Sequence, residues 1–225
     1  MILEENKSKG LYFAETIFLY LLSFAVIYCF LLLASRIKLF ELFNNTSGIW
    51  RYNPYLSTPY LIAIVLGMIV APLVWEKLVR KLDFKKIGFN FPPHIIREIT
   101  FGTVLFILFA VYSRVLLSME VGPLDLSPYI IISLSIRWLF VAFGEETLYR
   151  GILQRRLSAL WGKYLGLVLA SIVFAFLGHP NAPLAVNLTL RLPFGIIIGY
   201  LYLRSQGLLL PIGVHWAFNM LFAIY

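Results

Sequence analysis

The feature that most constrains this chain is a series of apolar runs long enough to cross a lipid bilayer. They extend approximately over Leu11–Ala34, Leu56–Val74, Ile95–Leu117, Leu126–Phe143, Tyr164–Leu177, Leu184–Leu203 and Leu208–Tyr225. A helix needs about 20 apolar residues to cross roughly 30 Å of hydrocarbon. In that medium the backbone must satisfy its own hydrogen bonds, which favours helices. The expected fold is therefore all-α, a polytopic transmembrane helix bundle with about seven spans. Composition agrees: 60% of the residues are hydrophobic and 13% charged, against about 45–50% and 25% in soluble domains. Turn chemistry separates the runs at Asn44–Gly48, Pro92–Pro93, Gly122–Pro123 and Gly178–Pro183. No repeat or long linker divides the chain. It reads as one membrane domain, 1–225, with N-terminal helices in 1–125 and a C-terminal part in 126–225.

The net charge of +8 does not signal nucleic acid, because the basic residues cluster between apolar runs. Lys77, Arg80, Lys81, Lys85, Lys86 and Arg97 form one cluster; Arg150, Arg155, Arg156 and Lys163 form another. Both mark the cytoplasmic side. With seven spans this puts the N-terminus inside and Arg36, Lys38 and Arg51 outside, as is the Glu120–Asp125 loop, which lacks basic residues. The only cysteine, Cys29, excludes an intramolecular disulfide and a cysteine-based metal site. The first run is too long for a signal-peptide core and reads as a retained helix.

Ionisable groups at membrane depth are costly and mark function. Ser127–Leu160 reads as one helix of roughly 50 Å, with Glu145 and Glu146 partway along it. Glu146 and Arg150, four apart, can pair, leaving Glu145 on a neighbouring face as a carboxylate able to act as a base. His179 ends an apolar run. His215 and Asn219, four apart, share one face of the last span. Counted along their helices, these groups reach a common depth. Each has an ordinary reading alone: an exposed ion pair, an interfacial histidine, polar glue between helices. Asn187 and Arg191 also share a helix face, for which helix pairing or snorkelling outweighs cavity lining.

Together the groups suffice for peptide hydrolysis. Glu145 can take a proton from water, with His179 orienting it. His215 and Asn219 can stabilise the oxyanion, and Arg150 can hold Glu146. The pattern Glu145-Glu146-x-x-x-Arg150, a histidine ending an apolar span, then His215-x-x-x-Asn219 resembles the CAAX protease and bacteriocin-processing family, also called Abi. The resemblance covers roughly Leu126–Tyr225 and makes 126–225 the catalytic core. One departure is that the family's phenylalanine four residues before the second-motif histidine is replaced by Ala175, flanked by Phe174 and Phe176.

The resemblance implies an intramembrane glutamate-type endopeptidase whose functional residues are Glu145, Glu146, Arg150, His179, His215 and Asn219, with no cofactor or metal. It implies a peptide or protein substrate, lipidated or not, the lipid bilayer as the other partner, and a bacterial plasma membrane. The alternatives are a non-catalytic bacteriocin self-immunity or scaffold protein, and a proton-coupled transporter.

Overall fold

The structure is a computed structural model that describes residues 8–41, 57–92, 94–119 and 128–222. The turns at Asn44–Gly48 and Gly122–Pro123, together with Arg51 and the Glu120–Asp125 loop, lie outside those residues. Among the described residues the structure is all helical. Five helices are long and apolar enough to cross a membrane: α1 (Lys9–Arg36), α2 (Thr58–Leu78), α3 (Ile95–Val115), α4 (Pro128–Trp161) and α6 (Leu184–Ser205). Two further helices, α5 (Lys163–Leu177) and α7 (Leu209–Phe222), are apolar but shorter. At about 1.5 Å per residue neither reaches the thickness of the hydrocarbon layer by itself. Seven apolar runs thus become five span-length helices and two short ones.

Each boundary has a local cause. The Ser8 hydroxyl accepts from Leu11 N–H at 3.3 Å and caps α1. Pro59 and Pro128 sit at the starts of α2 and α4, where a missing N–H costs nothing. Gly162 adopts φ +91° between α4 and α5, a left-handed conformation that glycine takes without a steric penalty. The junction is so tight that α4 and α5 pack as an antiparallel pair. The long helix expected over Ser127–Leu160 is present as α4, and its stretch Thr147–Gln154 is wound as a π-helix.

Contacts between helix ends fix an up-and-down arrangement. Leu208 N–H donates to the carbonyl of Gly88 at 2.8 Å, and Arg204 Nε donates to Glu98 at 2.6 Å. The end of α6 and the start of α7 therefore sit beside the start of α3. At the start of α1 and the ends of α2 and α4, five buried or nearly buried charges interlock. Glu15 accepts from Arg80 Nε at 2.7 Å and from Trp75 Nε1 at 2.8 Å. Glu76 accepts from Arg155 at 2.7 Å and Arg156 at 2.9 Å. Arg156 also reaches Glu15 at 3.3 Å, and the Tyr12 ring lies under both Arg80 and Arg156. Arg80, Arg155 and Arg156 are thus more than topogenic charges: they bind α1, α2 and α4 together.

The outward faces carry large apolar side chains such as Leu21, Ile96, Leu108, Leu116 and Tyr164, all more than half exposed. In water such a surface would aggregate; in lipid it is solvated. The interior is aromatic, with Phe109, Phe174, Phe194, Phe218 and Phe222 in one buried cluster. Their rings meet at centroid distances of 5.5 Å for Phe109–Phe194 and 4.7 Å for Phe194–Phe218, in the range of favourable aromatic pairs.

Candidate active site

A cavity of about 590 Å³ opens among α4, α5, α6 and α7. Glu145, His179, His215 and Asn219 all line it, with apolar walls that include Trp138, Phe174, Phe194 and Phe218. The four residues come from three separate stretches of chain, and the fold brings them to one place. Glu145 turns its side chain to the cavity, 14% exposed, whereas that of Glu146 is entirely buried behind it. One helical step, about 100°, separates the two faces.

Glu146 joins two partners. Its Oε2 lies 3.2 Å from Arg150 Nε, an i,i+4 ion pair with both side chains fully buried. Its Oε1 lies 2.7 Å from His215 Nδ1. A carboxylate can only accept, so the proton of this bond sits on Nδ1 and His215 turns Nε2 the other way. Nε2 stands 3.8 Å from Glu145 Oε2. The sequence reading paired His215 with Asn219 on one helix face. In the structure Asn219 lines the same cavity, but the partner that orients the imidazole is Glu146. Arg150 is held in turn by the Gly195 carbonyl at 3.3 Å and covers the Phe174 ring at 5.1 Å.

Phe174 organises the histidines. Its ring meets His179 edge-on at 5.2 Å and 88°, and His215 at 6.3 Å and 88°. The departure at Ala175 has a structural account here. Residues Val173–Leu177 form a π-helical turn, and Gly178 N–H reaches the Val173 carbonyl five residues back at 3.0 Å. A π turn holds one more residue than an α turn, so position 174 rather than 175 comes beside His179. Gly178 permits this: a Cβ there would lie 2.4 Å from the Tyr149 hydroxyl and 2.6 Å from the Phe174 carbonyl.

Arg191 also lines the cavity, against the helix-pairing or snorkelling reading of the sequence. It sits in a further π-helical stretch, Asn187–Arg191. Its Nη1 donates to Asn187 Oδ1 at 3.1 Å, and Asn187 Nδ2 donates to the His179 carbonyl at 3.4 Å. Asn187 is buried behind Arg191 and fixes it. The i,i+4 spacing of the two was legible; which way the pair faced was not. Among the described residues, no group of three or more His, Cys, Asp and Glu side chains is arranged to hold a metal ion.

This arrangement of two adjacent glutamates, a buried arginine and two histidines around one cavity coincides with a family match. Residues 127–221 fit the family model described as Rce1-like, type II CAAX prenyl endopeptidase. That segment belongs to the Rce1-like family. The match supports a CAAX-type intramembrane protease at family level, and the five span-length apolar helices agree with a multi-pass membrane protein. The Rce1-like segment contains α4 to α7 and hence all the cavity residues named above. Neither the curated proteins nor the solved structures gave a match.

Proposed function

We propose that this Rce1-like chain hydrolyses a peptide bond with a water molecule activated by Glu145, inside a cavity that lies within the bilayer. The observation that carries the reading is the convergence of Glu145, His179, His215 and Asn219 on one cavity while Glu146 and Arg150 stay buried behind it. A mere helix-pairing role would require no carboxylate facing open space. The apolar walls lower the local dielectric, which strengthens every polar interaction made there.

Glu145 accepts a proton as water adds to the carbonyl carbon, with His179 orienting the water. Negative charge moves to the former carbonyl oxygen. The Asn219 amide donates to that oxygen, and so does His215 Nε2 when it carries a proton. Collapse of the intermediate breaks the C–N bond, and the proton held by Glu145 passes to the leaving nitrogen. Glu146 orients His215 through Nδ1, as a carboxylate does behind a catalytic histidine, and Arg150 holds Glu146. The residues supply this chemistry without a metal. The substrate is a peptide or protein end, lipidated or not, that enters from the membrane or from the basic side, in a bacterial plasma membrane.

The test is hydrolysis of a quenched-fluorescent CAAX peptide by the purified full chain in detergent. Glu145→Gln keeps the shape of the side chain but loses the base, and turnover falls about 10²–10⁴-fold. Asn219→Ala loses one oxyanion donor and falls about 10²–10³-fold. Chelation confirmed by elemental analysis leaves the rate intact. Near-normal turnover by Glu145→Gln overturns the mechanism. Loss on chelation with recovery on adding zinc overturns its metal-free part.

A further inference from the structure

We propose that Arg191 is the residue that binds the free α-carboxylate at the C-terminus of the substrate. The inference rests on the endopeptidase reading and assigns a specificity-determining residue to it.

Arg191 is half-buried on the cavity wall. A guanidinium offers five N–H donors in a planar fork. One nitrogen, Nη1, is engaged by Asn187 Oδ1 at 3.1 Å. Among the described residues, no carboxylate lies within ion-pair distance of Arg191. Four other arginines of the helices each have one. Arg150 has Glu146, Arg155 and Arg156 have Glu76, and Arg204 has Glu98. The carboxylate that acts on it is Glu145, farther off in the same cavity, and a charge held in an apolar setting without a contacting counter-ion is costly. The fold nevertheless fixes this one in place, through Asn187 and its bond to the His179 carbonyl.

A cation kept on a cavity wall out of ion-pair contact, with donors to spare, is a built receptor for an anion. Its planar fork matches a carboxylate bidentately. Glu145 lines the same cavity, so a substrate's scissile bond and its terminal carboxylate would be addressed by groups of opposite sign. The cavity volume of about 590 Å³ falls in the range of clefts for small ligands, which suits a short chain end rather than a folded loop. The Asn187–His179 link ties the carboxylate anchor to the histidine proposed to position the water.

The experiment pairs two substrates with two variants. A prenylated CAAX peptide is made as the free acid and as the C-terminal carboxamide, and kcat/KM is measured for each with the full chain. The wild type prefers the free acid about 10- to 100-fold, the worth of a hydrogen bond to a charged group. Arg191→Gln brings the ratio close to one; Arg191→Lys, which keeps the charge, retains part of the preference. An unchanged ratio in Arg191→Gln overturns the proposal, and so does an equal loss on both substrates. Binding gives a readout independent of hydrolysis. The tripeptide product, as acid and as amide, is titrated against the wild type and the Arg191 variants. The acid binds more tightly to the wild type, and Arg191→Gln removes the difference; equal binding of acid and amide overturns the proposal. Failure of the endopeptidase reading looks different. There Glu145→Gln would cleave as the wild type does, whatever Arg191 binds.

Discussion

Glu146 and His215, 69 residues apart in sequence, are joined by a 2.7 Å hydrogen bond between a fully buried carboxylate and Nδ1 of the imidazole. This bond connects the two motifs of the site. It separates the adjacent glutamates by role, since Glu145 faces the cavity while Glu146 sets the histidine. Glu146→Gln is expected to lower kcat/KM about 10- to 100-fold, the usual effect of removing an orienting partner, and to lower thermal stability as well. Glu145→Gln should reduce activity alone. Comparing melting temperatures and rates of the two variants checks this; equal stability and activity of Glu146→Gln and wild type would refute it.

Arg150 neutralises Glu146 where neither is exposed. Removing one member of a buried pair leaves an uncompensated charge, worth about 3–5 kcal/mol. Arg150→Met should therefore reduce yield and melting temperature as well as rate. Arg150→Lys should recover only part, because the ammonium cannot also reproduce the bond to the Gly195 carbonyl and the stack on Phe174. Thermal unfolding in detergent distinguishes these outcomes. A stable, inactive Arg150→Met would mean that the arginine serves chemistry only.

The π turn before His179 predicts opposite tolerances at neighbouring positions. Phe174→Ala removes the ring that meets both histidines and should cost about 3–5 kcal/mol. Ala175 is fully buried, so Ala175→Phe overpacks the core by roughly 1–3 kcal/mol rather than restoring the family's phenylalanine. Melting curves of the two variants give the answer. A stabilising Ala175→Phe would show that the helix follows ordinary α register here.

The charge cluster among α1, α2 and α4 should behave as a structural clamp. Glu76 is fully buried and accepts from Arg155 and Arg156. Glu76→Ala should lower stability by about 3–5 kcal/mol while the folded fraction keeps its kcat. Replacing Glu76 and Arg156 together by leucine and methionine should restore part of the stability, because one of the two cations that Glu76 neutralises goes with it, while Arg155 is left without its carboxylate. If the double variant is less stable than Glu76→Ala, the cluster stabilises by more than charge neutralisation.

Helices, their approximate limits and the residues worth suspecting were legible in the sequence because each depends on local order along the chain. Hydropathy over about 20 residues reports solvation by lipid, and an i,i+4 spacing reports one helix face. Those two rules sufficed for the Glu146–Arg150 pair, for α4 as one long helix, and for the suspicion attached to His179, His215 and Asn219. The run Tyr164–Leu177 was already shorter than a span and became the short helix α5. Spacing could not reveal that Glu146 holds His215, that Arg191 faces a cavity, or that Arg156 is locked between Glu15 and Glu76. Those are contacts between segments distant in sequence. Which face of a helix turns inward, and what it meets there, is decided by how the helices fill a common interior, and only the tertiary structure contains that.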